Sequence, residues 1–239
     1  MTTGRMETGG EGKPEIQLVV FDMAGTTVND EDSVNRCLRE ALRDEGVSVT
    51  PEQVNAVMGI FKPDAIRILI EDSTSPDKLE GRVNAIHDAF VARTVRFYRE
   101  DPSVYEIEGA SRTFQALRDA GIRVALNTGF NREITDVILG RLGWRDSPLV
   151  SATITSDEVP RGRPHPDMIR ALMARLGVDD SSRVAKVGDT PADLGEGASA
   201  QCGMIVGVTE GTHTREQLEP HPHTHLIGSV ADLPGILGL

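Results

Sequence analysis

The feature that most constrains the fold is a series of short apolar runs separated by longer helical patterns. The runs are rich in Val, Ile and Leu and occupy residues 16–21, 122–126, 184–187 and 204–208, with a weaker run at 225–227. Nearly continuous apolar runs of this length are typical of strands buried on both faces, as in a parallel sheet.

Helical patterns follow or separate these runs. They cover residues 110–120, 132–142, 166–176 and 191–200. Strands that alternate with helices predict a parallel sheet with helices on both of its faces. We therefore expect an α/β fold, with a doubly wound parallel sheet forming a Rossmann-like core.

The segment 32–105 has a different pattern, with several helical stretches and no convincing strand. Helical patterns cover 33–44, 63–71 and the long stretch from Pro76 to Arg99, and Thr50 before Pro51 is a typical helix start. We predict an all-α cap at 32–105, inserted after the first strand of a core formed by 16–31 and 106–239. Residues 1–15, rich in Gly, Thr and Glu, are expected to be a disordered leader.

Composition excludes several classes of function. The formal net charge is −12, which argues against a nucleic-acid partner. No apolar run is long enough to span a bilayer, and the first residues lack a secretory signal, so we expect no membrane partner. Cys37 and Cys202 have no metal-site spacing, and we interpret them as free thiols in a reducing cytoplasm.

Polar residues stand where three of the predicted strands end. Asp22 follows the first run, Thr128 and Gly129 follow the second, and Asp189 follows the third, while Arg163 lies on an intervening loop. Ligands of open α/β sheets bind outside the carboxyl ends of the strands, so we expect these residues to converge. Carboxylates suit a hard divalent cation, and a guanidinium and backbone amides suit phosphoryl oxygens.

The motifs that carry these residues resemble those of the haloacid dehalogenase superfamily of hydrolases. They read DMAGTTV at 22–28, NTGF at 127–130, VPRGRP at 159–164 and KVGDTPADLGEG at 186–197. Together with MGIFK at 58–62, they are similar in finer detail to the phosphonoacetaldehyde hydrolase (phosphonatase) branch. The resemblance covers nearly all of the chain from residue 16 onward, including the helical cap.

The resemblance implies a nucleophile and a metal site. Asp22 would attack phosphorus and form an aspartyl-phosphate that water then hydrolyses. Mg²⁺ would be held by the Asp22 carboxylate, the Ala24 carbonyl oxygen and Asp189, and would neutralise charge between an anionic nucleophile and an anionic substrate.

The resemblance also implies a phosphoryl-binding set. Thr128, Gly129 and the backbone amides that follow Asp22, those of Met23 and Ala24, would hold the phosphoryl oxygens. Arg163 would balance the developing charge, and Asp193 would support Arg163 or a metal-bound water. A homodimer formed through the cap is a further implication.

The positions of Ala24 and Lys62 are those at which phosphonatases of the superfamily differ from its phosphatases. Phosphatases of the superfamily usually have a second aspartate at the position of Ala24, a general acid worth roughly 10²–10⁴-fold. In phosphonatases a cap lysine forms an imine with the substrate aldehyde instead, and Lys62 matches that lysine. The branch pattern K-x-D-H reads Lys62-Pro63-Asp64-Ala65 here, without the histidine.

Three functions remain open from the sequence. The first is a Mg²⁺-dependent phosphonatase-like hydrolase of a small phosphorylated or phosphonate metabolite. The second is a phosphatase for small or activated phosphate esters, with Lys62 as an electrostatic contact and no Schiff base. The third is a slow phosphate-binding regulatory relative. Four histidines near the carboxyl terminus, at positions 213, 221, 223 and 225, are expected to be solvated loop residues.

Overall fold

A parallel sheet lies at the centre of the computed structural model, which describes residues 16–239. The predicted leader, residues 1–15, lies outside the described residues. Within the described part, the strands are β1 (Leu18–Phe21), β2 (Arg123–Thr128), β3 (Ala152–Thr155), β4 (Val184–Gly188), β5 (Met204–Val208) and β6 (His225–Ile227). All pairs are parallel, in the order β3-β2-β1-β4-β5-β6.

Helices surround the sheet and fill the segment between β1 and β2. That segment contains α1 (Ser33–Asp44), α2 (Pro51–Asn55), α3 (Lys62–Ile70) and α4 (Pro76–Glu100). The remaining helices are α5 (Ala110–Asp119), α6 (Arg132–Arg141), α7 (Asp167–Leu176), α8 (Pro191–Ser199), α9 (Arg215–Leu218) and α10 (Leu233–Leu237). We refer to residues 33–100 as the helical insert.

Strand β1 shows why the sheet strands are apolar throughout. Its alternate side chains point to opposite faces, as strand geometry requires. Val19 and Phe21 belong to one apolar cluster, in which Phe21 packs on Phe114 of α5 at a ring distance of 5.1 Å. Leu18 and Val20 belong to a second cluster, on the other face, with apolar residues of α7. Because both faces are covered, all four positions of β1 are buried and apolar.

Local signals set the helix starts in the insert. Thr50 and Gln53 form a reciprocal capping box before α2, with hydrogen bonds of 2.8 and 3.2 Å, and Pro51 occupies the first turn. Helix α4 buries Phe90 and Tyr98 toward the core, where both rings approach Phe130. These contacts connect the insert to the loop that follows β2.

The predicted α/β class with a doubly wound parallel sheet and a helical insert is confirmed. Most predicted bounds agree with the structure to within two residues. Strand β3 was not predicted, because ATIT lies at the edge of the sheet, where Ala152 and Thr153 are only half-buried and no apolar run results. Among residues 16–239, no helix has both the length and the apolar character needed to cross a bilayer.

Candidate active site

The site lies at the carboxyl ends of three adjacent strands. Strand β1 sits between β2 and β4, and Phe21 is in register with Leu126 and Val187. The next residue of each strand therefore falls on the same edge, beginning with Asp22, whose backbone N–H donates to the Val187 carbonyl at 2.9 Å. Strands β2 and β3 lie on one side of β1, and β4, β5 and β6 lie on the other. Open α/β sheets bind ligands at such a switch in strand order.

A tight turn after β1 presents the Asp22 carboxylate. The Met23 carbonyl accepts hydrogen bonds from the backbone N–H groups of Thr26, Thr27 and Val28 at 3.2, 2.8 and 2.8 Å. The Met23 side chain is fully buried in the apolar core, so only its backbone is available to the site. The turn thus fixes the backbone that carries Asp22.

Gly25 is required in this turn for two reasons. Its φ of +84° lies in the left-handed region that side chains disfavour. A Cβ at this position would also lie 2.3 Å from Oδ2 of Asp189. The turn after β1 therefore packs directly against the carboxylate that follows β4.

Three buried carboxylates form a cluster at this edge. Oxygen atoms of Asp22, Asp189 and Asp193 lie within 4.8 Å of one another. Asp189 is held by Thr26 Oγ1, which donates to Oδ1 at 2.7 Å, and by the Thr212 N–H, which donates to Oδ2 at 2.7 Å. The structure brings the predicted residues 22, 189 and 193 together.

Burial opposes ionisation of all three carboxyl groups in this cluster. Desolvation raises the pKa of Asp22 to about 7, against the opposing effect of Arg163. Desolvation, together with the charge of Asp193, raises the pKa of Asp189 to about 6. Burial also opposes ionisation of Asp193, but Arg163 and Lys186 hold its pKa below the ordinary value. Two of the three carboxylates thus need additional positive charge to ionise fully.

A divalent cation fits the donor set. The oxygen ligands are of the hard type that Mg²⁺ and Ca²⁺ take. Four buried carboxylates, those of Asp22, Asp189, Asp193 and Glu196, lie near three buried cationic side chains, Arg163, Lys186 and Lys62. When all are ionised, the carboxylates outnumber the cations, which favours binding of a further cation. Asp193 pairs with two cations, Asp22 with one and Asp189 with none among the described residues, so Asp22 and Asp189 are the better ligands.

Arg163 lies directly beside the candidate nucleophile. Its Nη1 is 2.7 Å from Oδ1 of Asp22 and 2.9 Å from Oδ1 of Asp193, and its side chain is 1% exposed. Nε contacts Glu196 at 3.1 Å. Nη2 donates to the backbone and side-chain oxygens of Asn127 at 2.8 and 2.6 Å. The guanidinium is therefore fixed by hydrogen bonds from Nε and Nη2, and its Nη1 forms an ion pair with Asp22.

A small cavity of about 20 Å³ connects the core and the insert. Predicted site residues that line it are Asp22, Ala24, Lys62, Thr128, Gly129 and Arg163. The volume is close to that of one water molecule. Thr128 Oγ1 accepts a hydrogen bond from the Phe130 N–H at 3.2 Å, which leaves the hydroxyl proton available to a ligand.

Lys62 is the group that the insert contributes to this cavity. It is 3% exposed, and its Nζ lies 6.0 Å from the Phe90 ring, 5.9 Å from the Phe130 ring and 3.4 Å from the Ile60 carbonyl oxygen. Burial lowers the pKa of Lys62 to about 8, partly offset by the charge of Asp22. An appreciable fraction of the amine is therefore uncharged and nucleophilic near neutral pH.

Some residues of the site do not follow from the sequence reasoning. Asn127, Lys186 and Glu196 are completely buried around Arg163. The signal that could have found Lys186 is a lysine within the apolar run VAKV. The expectation of solvated histidines is wrong for His213, which is 7% exposed, because the Thr212 bond to Asp189 draws this loop against the core.

Fold and site together define a class of hydrolase. A doubly wound parallel core carries a buried aspartate at its switch point, beside an acidic cluster and a bound arginine, and a helical insert places a lysine opposite. The chain belongs to the haloacid dehalogenase-like hydrolase family, whose model matches residues 16–201.

Comparisons with known proteins agree with this assignment. A phosphonoacetaldehyde hydrolase from Bacillus cereus (strain B4264) is 31% identical over 219 residues, which is 86% of this chain and 81% of the relative. A Bacillus anthracis phosphonoacetaldehyde hydrolase is 30% identical over 223 residues, with the same coverage.

Solved structures share the fold. A phosphonoacetaldehyde hydrolase-like protein from Oleispira antarctica superposes with a TM-score of 0.82 at 21% identity, over 98% of this chain and 96% of that chain. The fold is also that of a putative phosphoglycolate phosphatase from Lactobacillus delbrueckii subsp. bulgaricus, with a TM-score of 0.76 at 20% identity and coverage of 94% and 100%.

Proposed function

We propose that this hydrolase cleaves the P–C bond of a small phosphonate aldehyde, with Asp22 as the nucleophile and Lys62 as an imine-forming amine. One observation carries the proposal: a single small cavity holds a buried carboxylate and a buried lysine whose pKa falls to about 8. The acid that a phosphatase would need is replaced by Ala24, which lines the same cavity. The phosphonoacetaldehyde hydrolase relatives support the substrate class.

Lys62 would prepare the carbon side of the bond. The uncharged amine attacks the aldehyde carbon, and loss of water leaves a protonated imine. When the P–C bond breaks, its electron pair moves through carbon into this imine and forms an enamine. Protonation at carbon and hydrolysis of the imine then release the aldehyde product and free Lys62. No general acid is required at position 24 in this route.

Asp22 would accept the phosphoryl group. Its carboxylate oxygen attacks phosphorus as the P–C bond breaks and forms an aspartyl-phosphate, which water hydrolyses to phosphate and the free carboxylate. Arg163 holds the attacking carboxylate in place through its 2.7 Å contact. Thr128, Gly129 and the backbone N–H groups of Met23 and Ala24 would receive the phosphoryl oxygens, in the role of a preorganised anion site.

Mg²⁺ is the cation that we propose for the acidic cluster. Asp22, Asp189 and the Ala24 carbonyl oxygen would hold it, and Asp193 would support the arrangement through Arg163. When bound, the ion would supply charge neutralisation between the carboxylate and the phosphoryl group.

Residues 32–105, which contain the helical insert, would act as a cap. The cavity is small, about 20 Å³, so we propose that the cap opens to load substrate and closes around it. Closure would exclude water while the phosphoryl group moves. We also propose a homodimer formed through the cap, which light scattering on the purified protein would test.

Borohydride trapping tests the imine. Phosphonoacetaldehyde plus borohydride should attach a reduced adduct to Lys62, located by peptide mass spectrometry. Lys62→Arg should abolish both the adduct and phosphonate turnover. The matched control is Lys78→Arg, because Lys78 is exposed in the insert. An adduct on another lysine, or undiminished turnover in Lys62→Arg, contradicts the proposed role.

One observation favours a second function, a phosphatase for small or activated phosphate esters. Ala65 occupies the place where the phosphonatase branch has a histidine, and it is fully buried. In this case Lys62 would be an electrostatic contact for the substrate. Mg²⁺-dependent phosphate release from aryl or acyl phosphates, without borohydride trapping, identifies this function. Binding of phosphate analogues with no turnover of either substrate class would instead indicate a slow regulatory relative.

A further inference from the structure

A buried polar network lies behind the candidate nucleophile, on the side away from the cavity. Lys186 of β4, Glu196 of α8 and Asn127 of β2 are each 0% exposed. Lys186 Nζ lies 2.7 Å from Asn127 Oδ1, 2.9 Å from Asp193 Oδ1 and 3.4 Å from Glu196 Oε2. Asn127 Nδ2 donates to both carboxylate oxygens of Glu196 at 2.9 Å.

Hydrogen bonds and ion pairs from protein groups hold both cations at the centre of this network. A guanidinium has five N–H donors. Those of Arg163 meet Asp22, Asp193, Glu196 and two oxygens of Asn127. An ammonium group has three donors, and Lys186 has three acceptors within reach. In the described conformation both cations are therefore surrounded by protein acceptors.

The hydrogen bonds of Nε and Nη2 determine where Arg163 can point. Its planar fork is rigid, so the bonds from Nε to Glu196 and from Nη2 to Asn127 fix the direction of Nη1. Nη1 is the atom that contacts Asp22. Lys186 in turn pairs with both Glu196 and Asp193. Without it, these two carboxylates would compete for Arg163 alone.

We infer that Lys186 and Glu196 are positioning residues for the reaction. They hold Arg163 and Asp193 so that Nη1 of Arg163 orients the attacking oxygen of Asp22. Neither residue lines the cavity, so neither contacts substrate. The catalytic part of this inference rests on the proposed function of Asp22, whereas the positioning part concerns the geometry of Arg163 alone.

A purely structural cluster is the competing explanation, since a buried ion network also contributes to stability. The two explanations differ in what a charge-balanced replacement does. Lys186→Met removes the cation and leaves a side chain of similar length. Glu196→Gln removes one carboxylate and retains an oxygen that can accept from Arg163. The double variant keeps the net charge of the wild type. Lys78→Met, on the exposed surface, repeats the chemical change away from the network.

Kinetics and crystal structures of these variants give the test. We expect Lys186→Met to lower kcat by about 10²-fold with KM unchanged, as small misplacements of reacting groups do. The double variant should lose less than the product of the two single losses, with a coupling of about tenfold or more. Lys78→Met should match the wild type. In the crystal structure of Lys186→Met, Arg163 Nη1 should leave its 2.7 Å contact with Asp22.

The readouts separate failure of the inference from failure of the proposed function. Losses that multiply in the double variant, or an Arg163–Asp22 contact unchanged in Lys186→Met, would overturn the positioning role. If wild type hydrolyses no phosphonate or phosphate ester, the proposed function fails, and the crystal structures still decide whether Lys186 positions Arg163. If Lys186→Met does not fold by circular dichroism, the crystal structure of Glu196→Ala, which lacks the acceptor of Arg163 Nε, carries the comparison: Arg163 Nη1 should leave Asp22, and an unchanged contact would overturn the positioning role.

Discussion

The contact between the insert and the core depends on Gly59, and replacing it with alanine should impair closure specifically. Gly59 has a φ of +81°, and an added Cβ would lie 2.4 Å from Thr190 Oγ1 and 3.1 Å from Ala192 Cβ. The Gly59 carbonyl oxygen is also the atom nearest to a Cβ built on Gly129, at 2.9 Å. Gly59, three residues before Lys62, therefore lies directly against Thr190 and Gly129 of the core.

The expected effect has two parts. The left-handed backbone costs an alanine about 1–2 kcal/mol, which lowers Tm by about 2–8 °C in a protein of this size. Ordinary contacts begin at 3.4 Å, so relief of the 2.4 Å contact requires the loop to retreat by about 1 Å. A displacement of 1 Å at reacting groups costs about 10²-fold in rate. We therefore expect kcat/KM to fall by about 10²-fold.

Gly46→Ala is the matched control. Gly46 has a φ of +74°, lies exposed in the insert, and has no atom within 4 Å of a built Cβ. It should show the same loss of Tm and retain wild-type kcat/KM, measured by phosphate release and differential scanning calorimetry. Equal kcat/KM in Gly59→Ala and Gly46→Ala would refute the account of how the insert closes.

Two further predictions concern the amine and the acidic cluster. The rate of borohydride-trappable imine formation should rise with pH to a midpoint near 8, because burial lowers the Lys62 pKa to about 8 and only the uncharged amine attacks carbonyl carbon; a rate still rising near pH 10 would show an unperturbed lysine. Gly25→Ala should weaken Mg²⁺ binding in calorimetric titrations at least tenfold, roughly 1.4 kcal/mol. The added Cβ would lie 2.3 Å from Oδ2 of Asp189, so the carboxylate would have to move away. Gly121→Ala, with a φ of +78° and open space, is its control, and equal binding by both variants would argue against Asp189 as a ligand.

The fold was predictable because burial leaves a strong pattern in the sequence. Strands β1, β4 and β5 are buried at every position, so β1 and β5 appear in the sequence as continuous apolar runs and β4 as an apolar run interrupted by Lys186. Strand β3 escaped prediction because an edge strand with half-buried residues needs no such run. The helix starts of the insert were predictable from proline and threonine, whose effects are local.

The site was only partly predictable, because a motif identifies residues but not the side chains that they contact in the fold. The positions of Asp22, Thr128 and Asp189 follow from strand ends, which a parallel sheet aligns on one edge. The contacts of Arg163 with residues of other helices and strands depend on tertiary packing. A charged residue such as Lys186 within an apolar strand was interpreted as part of the strand, since its acceptors are distant in sequence.

The role of Asp22 as the covalent nucleophile is the claim on which the account depends, and peptide mass spectrometry tests it most directly. Wild-type enzyme mixed with substrate in the presence of Mg²⁺ should be quenched in acid during turnover and digested. The account predicts a phosphoryl group on the peptide that contains Asp22, and its absence from Asp22→Asn. Turnover with no phosphorylated peptide, or with the phosphoryl group on another residue, would contradict it.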